Sequence, residues 1–282
     1  MTLPVDDLKK ILSTVASYTN ESGAHLVGLN MEGPFISVSK KGAQDERNII
    51  PCDAALFREF QEAARGLIRF IGVAPETGLD RTLDFIREVK GEVSVSLAHT
   101  NASYTDAKAA FDAGACHAVH LFNAMPAFSH REPGVVGAVF DSKHVFAELI
   151  CDGVHIHPAM VRAAFAMMGS ERICLISDSM RAAGMPDGSY TLGGLAVNVS
   201  GKHATLAKGG ALAGSVTNLA DCMRTAVKEM DIPLEEAIRC ATLNPARALH
   251  LEHRYGSIAP GKTGNLVLLN PDLSLKQVIV NG

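Results

Sequence analysis

Short apolar runs alternating with longer amphipathic stretches constrain this chain more than any other feature. His25–Leu29, Ile68–Val73, Val93–Leu97, Ala118–Phe122, Val145–Ile150 and Ile173–Ser177 read as strands, with helix candidates at Asp53–Arg65, Asp80–Val89, Thr105–Ala113 and Pro158–Met168. Alternation at this spacing predicts a parallel sheet with crossover helices. Runs so rich in apolar residues fit strands covered on both faces. A chain of 282 residues has room for one α/β barrel of roughly 250 residues, or for two smaller domains.

Chemistry-bearing residues fall just after the strand patterns: Glu32, His99, His120 and Asp178. In a (β/α)₈ barrel the site is built at the carboxyl ends of the strands. Imidazole and carboxylate are the usual ligands of a catalytic zinc ion that keeps one position open. Glu32 alone reads equally as a capping carboxylate or a partner of Lys40 or Lys41, and a lone His at a strand end is more often a core residue. Three such groups at matching strand ends favour a metal site. Asp178 can act as proton acceptor and donor beside activated water; its bland alternative is a helix cap, weakened by Pro186-Asp187-Gly188, which reads as loop.

Other residues carry weaker signals. His155-Ile156-His157 resembles an HxH metal pair, but Pro158 marks a helix start, so the pair sits on a loop and at most one His reaches the site. Arg131, on the loop after the His120 strand, has the planar fork to clamp a phosphate, or it pairs with Glu132. Leu212-Ala213-Gly214-Ser215 offers backbone groups to a ligand, or is a simple glycine turn. His117, His130, His144, His203, His250 and His253 show no partner pattern.

Charge and cysteines bound the setting. Lys and Arg number 26 against 30 Asp and Glu, a formal net charge of -4, which argues against a nucleic-acid partner and requires a local cationic pocket for any anionic substrate. Six scattered cysteines without a CxxC pair read as reduced thiols. The start, MTLPVDDLKK, is neither a signal peptide nor a membrane span. The expected location is cytoplasmic, with no membrane partner.

After Ser177 the pattern changes. Tyr190–Thr205, rich in Gly, Thr and Val, reads as a β-hairpin insertion. Asn218–Met230 and Leu234–Ala248 read as helix, the second interrupted at Asn244-Pro245-Ala246. Asn265–Leu269 and Leu275–Val280 read as strands. The expected organisation is a TIM-barrel-like domain over 1–255, with the hairpin at about 190–205, followed by a small β-sandwich segment over 256–282.

Seven motifs in order give a resemblance. Gly28-Leu29-Asn30-Met31-Glu32-Gly33-Pro34-Phe35, Ala98–Ala102, His120-Leu121-Phe122-Asn123-Ala124-Met125, Arg131-Glu132-Pro133-Gly134, Cys151–His155, Ser177–Gly184 and Leu212–Ser215 together resemble the N-acetylglucosamine-6-phosphate deacetylases of the amidohydrolase superfamily. The resemblance implies a TIM-barrel metal-dependent hydrolase that releases acetate from N-acetylglucosamine 6-phosphate. It implies one divalent metal ion, zinc or iron, on Glu32, His99 and His120, with Asp178 as catalytic acid/base. Asn123, Ala124, Arg131 and His155 would contact substrate, Arg131 and His155 at the 6-phosphate, with Arg131 offered across a homodimer interface. Ala43, Asp152, Gly153, Val154, Leu212, Ala213 and Gly214 would line the sugar.

Relatives in that family start earlier. The upstream β-segment, the first barrel strand with its HxH-type pair and the second strand would precede Met1, so six barrel strands are expected where closure needs eight. Asn30 and Gln44 stand where many relatives carry His. A single-metal site is therefore expected without any second site. Three other readings compete: an amidohydrolase for another amide, a catalytically impaired remnant, and a sugar-phosphate binding protein, the last disfavoured by Asp178.

Overall fold

In the computed structural model, which describes residues 2–20 and 23–282, six strands pair in parallel in chain order: β1 (Leu29–Met31), β2 (Ile68–Val73), β3 (Ser94–Leu97), β4 (His117–Ala118), β5 (Phe146–Ile150) and β6 (Ile173–Ile176). Preceding and connecting them are α1 (Val5–Ala16), α2 (Ala54–Ala63), α3 (Leu79–Val89), α4 (Tyr104–Ala113), α5 (Gly134–Asp141) and α6 (Pro158–Met168). Their starts follow local chemistry. Asp53 and Ser103 cap α2 and α4 by accepting from the backbone N–H of Leu56 and Asp106, and Pro158 opens α6.

Strand residues divide by parity. Ile71, Val73, Val95, Leu97, Ala118, Ala147 and Leu149 share one continuous core with Phe57, Phe60, Phe85, Ile86, Phe111 and Val161 of the helices. The alternate set, which includes Phe70, His117, Phe146, Glu148 and Cys174, is also largely buried, as expected for strands covered on both faces. Phe70, Phe146 and Cys174 pack against Ala248 and Leu249, and His117 and Glu148 are a polar pair within that face.

Two expected strands are shorter than their apolar runs. His25–Gly28 form no ladder, because β2 begins only at Ile68 and the first bond is from Leu29 N–H to the Leu67 carbonyl at 2.8 Å. Val119–Phe122 leave the sheet because the backbone enters the left-handed region at His120 and Phe122. Helices α1 and α5 were not expected as elements. The first is amphipathic, burying Leu8 and Leu12; the second, Gly-Val-Val-Gly-Ala-Val, is apolar on nearly every side and carries no helical period.

Beyond β6, the expected hairpin is a three-stranded antiparallel meander, β7 (Gly188–Leu192), β8 (Leu195–Ser200) and β9 (His203–Leu206). It builds its own small core from Val197, Val199 and Ala204 with Met180, Ala182 and Ala213. Three helices follow, α7 (Leu219–Glu229), α8 (Leu234–Ala241) and α9 (Leu243–Ala248). The break between the last two falls at Thr242, and Pro245 sits in the first turn of α9, where its missing N–H costs nothing. In the tail, β10 (Leu266–Leu269) and β11 (Leu275–Ile279) form one two-stranded sheet, not the two layers of a sandwich.

The main sheet has two edges, β1 and β6. A cavity of about 460 Å³, lined by Asn30 and Glu32 from one edge and Leu175, Ile176, Ser177 and Asp178 from the other, lies between them. An apolar groove of about 750 Å³ separates α7 and α8 from β10.

The core reaches the site through Phe35, three residues after Glu32. Its ring packs edge-on to Phe85 at 5.3 Å, and Phe85 meets Phe57 at 6.2 Å. We expect Phe85→Ala to lower stability by about 3–5 kcal/mol, read as a shifted midpoint in urea unfolding; an unchanged midpoint would show that this aromatic chain is not what anchors the Glu32 loop.

Candidate metal centre and substrate cavity

Each chemistry-bearing side chain stands one or two residues past a strand: Glu32 after β1, His99 after β3, His120 after β4 and Asp178 after β6. Three of them hold left-handed backbone, φ 46° at His99, 33° at His120 and 47° at Asp178. Such conformations cost free energy and persist only where surrounding bonds enforce them. Here Ser37 N–H donates to the His99 carbonyl, Leu121 N–H to the Glu148 carbonyl and Ser215 N–H to the Asp178 carbonyl.

Glu32, His99 and His120 converge, with one ligand atom from each lying within 4.8 Å of the others. His99 Nε2 is 3.4 Å from Glu32 Oε2, His120 Nε2 is 3.5 Å from Glu32 Oε1, and the two Nε2 atoms are 3.2 Å apart. Both imidazoles are fixed from behind. His99 Nδ1 donates to the Lys40 carbonyl at 2.8 Å and His120 Nδ1 to the Asn123 carbonyl at 3.1 Å. A ring that spends its Nδ1 proton on a carbonyl presents a bare lone pair at Nε2. In the neutral rings, two lone pairs and a carboxylate then face one point, an arrangement that repels itself unless a cation, a metal ion or a proton, sits there. The donor set, two imidazoles and an oxygen, suits a divalent transition metal with an open position.

The electrostatics register the same demand for positive charge at this point, which a proton on an imidazole meets when no metal is bound. Burial works against charge on Glu32, but His120 and then His99 outweigh it and hold the carboxyl down at about 2. For His99, burial opposes the charged ring, while Glu32 more than compensates and lifts it above its ordinary value. Asp178 goes the other way. Burial first, and the charge of Glu32 second, push its carboxyl up to about 6.

All four residues line a cavity of about 470 Å³, joined there by Ala43, Asn123, Ala124, His155, Leu212 and Gly214. Asp152 is turned inward: its carboxylate accepts from the N–H groups of Val154 and His155 and from His155 Nδ1 at 2.7 Å, so it orients the His155 ring. Gly153 and Val154 belong to this turn and do not line the cavity. Ala213 is fully buried in the meander core. Arg131 is exposed on its loop, outside the cavity lining, with no ion pair to Glu132 among the described residues. His157 caps α6 by accepting from Ala159 N–H.

Several residues on the cavity wall were given no site role by the sequence. Lys40 contributes its carbonyl to His99 and its ammonium to the Met125 carbonyl at 3.0 Å, not to Glu32, while Lys41 pairs with Glu46. Gln44 is buried and accepts from Thr2 N–H at 2.7 Å. Leu192, from the meander, and Met180 add apolar wall. Backbone carbonyls such as that of Lys40 and meander residues such as Leu192 carry no chemical signature in a sequence, so no pattern gave them a role.

Residues 11–282 match the amidohydrolase family. The N-acetylglucosamine-6-phosphate deacetylase of Bacillus subtilis (strain 168) is 39% identical over 261 residues, covering 92% of this chain and 65% of the relative. The N-acetylgalactosamine-6-phosphate deacetylase of Escherichia coli O157:H7 is 36% identical, with 100% and 74% covered. A solved structure of the Mycobacterium smegmatis N-acetyl-D-glucosamine-6-phosphate deacetylase superposes with a TM-score of 0.92 at 34% identity, again with 100% and 74% covered. The chain thus spans between 65% and 74% of the length of these relatives. A parallel sheet with its acid and imidazoles at the strand ends, a match along nearly the whole sequence and a superposition this close lead to one conclusion: the chain belongs to the amidohydrolase family and, within it, to the N-acetylglucosamine-6-phosphate deacetylases.

Proposed function

We propose that this chain hydrolyses the acetamide of N-acetylglucosamine 6-phosphate to glucosamine 6-phosphate and acetate, using one zinc or iron ion held by Glu32, His99 and His120. The observation that carries this reading is the meeting of three metal-type donors beside Asp178 in one cavity. A divalent cation bound there supplies Lewis acidity, polarising a carbonyl oxygen and lowering the pKa of water. Asp178, whose carboxyl burial and the charge of Glu32 push up to about 6 in the metal-free chain, is the group placed to take a proton from the attacking water. Once protonated, it hands that proton to the departing nitrogen.

The remaining groups bind and orient. His155, fixed by Asp152, is the contact for the 6-phosphate on the cavity wall; Asn123 and the Leu212–Gly214 backbone hold the sugar. Arg131 is exposed and unpaired among the described residues, which supports a role toward the cavity of a second protomer in a homodimer. Six cysteines without a disulfide, all among the described residues, support a reducing compartment, the cytoplasm. Among the described residues no helix is long and apolar enough to cross a membrane.

Three outcomes are expected. Acetate release from N-acetylglucosamine 6-phosphate requires added Zn²⁺ or Fe²⁺, and the unphosphorylated sugar is a far poorer substrate. No turnover with either metal, on this sugar phosphate or its galactosamine epimer, overturns the activity. Mixing Arg131→Ala with Asp178→Asn chains restores turnover that neither shows alone, if the guanidinium crosses a dimer interface; additive residual rates contradict that.

Asp178→Asn lowers kcat roughly 100- to 10,000-fold while stabilising the metal-free chain. The sign follows from the raised carboxyl: the folded state holds the Asp178 proton up to about pH 6, the unfolded chain only to roughly 3.9. Stability tied to that proton is complete below the unfolded value and lost as pH rises through about 6. The variant therefore melts a few degrees higher at pH 7 and the gap closes toward pH 4; a gap independent of pH contradicts this.

A further inference from the structure

We infer that Glu148 is a positioning residue for the metal ligand His120, braced from behind by His117, an inference that rests on the metal reading of the centre above. Glu148 lies on β5 and is only 6% exposed; His117, on β4, is 2% exposed. One carboxylate oxygen of Glu148, Oε1, stands 2.9 Å from His117 Nε2. The other accepts from the backbone N–H of His120 at 3.2 Å. The main chain of Glu148 adds a third hold, its carbonyl accepting from Leu121 N–H at 2.8 Å. Side chain and backbone of one residue thus grip two successive peptide units, at the point where His120 adopts its left-handed conformation.

Packing alone does not call for this pair. His117 sits 4.6 Å from the ring of Phe70 and 6.4 Å from that of Phe146, between aromatic neighbours. A buried carboxylate in such company is costly unless its bonds are well spent. The pair is not tuned for stability either, since His117 Nδ1 is buried without a hydrogen-bond partner. Its bonds are directed at the ligand loop. Glu148 holds the His120 backbone while the Asn123 carbonyl holds the His120 ring, so the two together fix where Nε2 points. Glu148 also borders the second cavity with Glu32 and Asp178 and is absent from the substrate cavity lining, so it acts on the centre through His120 and not on the substrate. Groups that hold metal ligands in place typically change metal affinity when removed.

The test measures Zn²⁺ affinity of the full chain by competition with a chromophoric chelator, alongside thermal melting and the visible absorption of the Co²⁺-loaded protein. Glu148→Leu is expected to weaken Zn²⁺ binding by roughly 10- to 100-fold and to shift the Co²⁺ bands. Glu148→Gln, which keeps one acceptor for the His120 N–H, should lose about 10-fold. His117→Phe, a ring that fits between Phe70 and Phe146, should lose less than Glu148→Leu, and the double variant no more than Glu148→Leu alone. If Glu148→Leu does not fold, the Gln and Phe variants decide. Folded Glu148→Gln and His117→Phe chains that bind Zn²⁺ as tightly as the parent, with unchanged Co²⁺ bands, overturn the inference while leaving the metal centre intact. A parent chain that binds no Zn²⁺ overturns both.

Discussion

Two imidazole lone pairs and a carboxylate aimed at one point are the constraint on which the rest of this structure turns. Each ring gives its Nδ1 proton to a backbone carbonyl, of Lys40 or of Asn123, so as neutral rings neither has a hydrogen for the other across the 3.2 Å between their Nε2 atoms, and only a cation, metal ion or proton, relieves the repulsion. Left alone, the group is held by force. The left-handed backbone at His99 and His120 and the aromatic chain behind Glu32 supply that force. A folded core that spends stability to keep like groups together is the signature of a site built for a cation.

The same economy of placement separates the two carboxylates. Glu32 and Asp178 line one cavity, yet their carboxyls diverge, to about 2 and about 6. Both are opposed by burial; the difference is company. Glu32 faces two imidazoles, whereas Asp178 faces Glu32. Divergent carboxyls in one cleft mark a division of labour, one group permanently charged and the other able to pick up and release a proton near neutral pH.

Much of this was readable in the sequence, for a definable reason. Parallel strands covered by helices need apolar runs of fixed length, and β2, β3, β5 and β6 follow theirs to within a residue. Side chains that follow such a run, as Glu32, His99 and Asp178 do, have nowhere to be but the carboxyl rim; His120 joins them because its strand ends early. The misses are equally physical. β4 shrank to two residues because local backbone at His120 overrode an apolar run. Helix α5 lacks a polar face, so no period announced it. Asp152 spends its carboxylate on the turn that aims His155, a role that no motif announced. Glu148 and His117 are 31 residues apart in sequence, and nothing linear pairs them.

X-ray absorption at the metal edge tests the central claim most directly, on the chain loaded with one equivalent of Zn²⁺. The expected spectrum shows two imidazole ligands at about 2.0–2.1 Å with oxygen completing the shell and no sulfur, and His99→Ala removes one of the two imidazole signals. Sulfur scattering, or a spectrum unchanged by that substitution, would mean that these three residues do not share the ion.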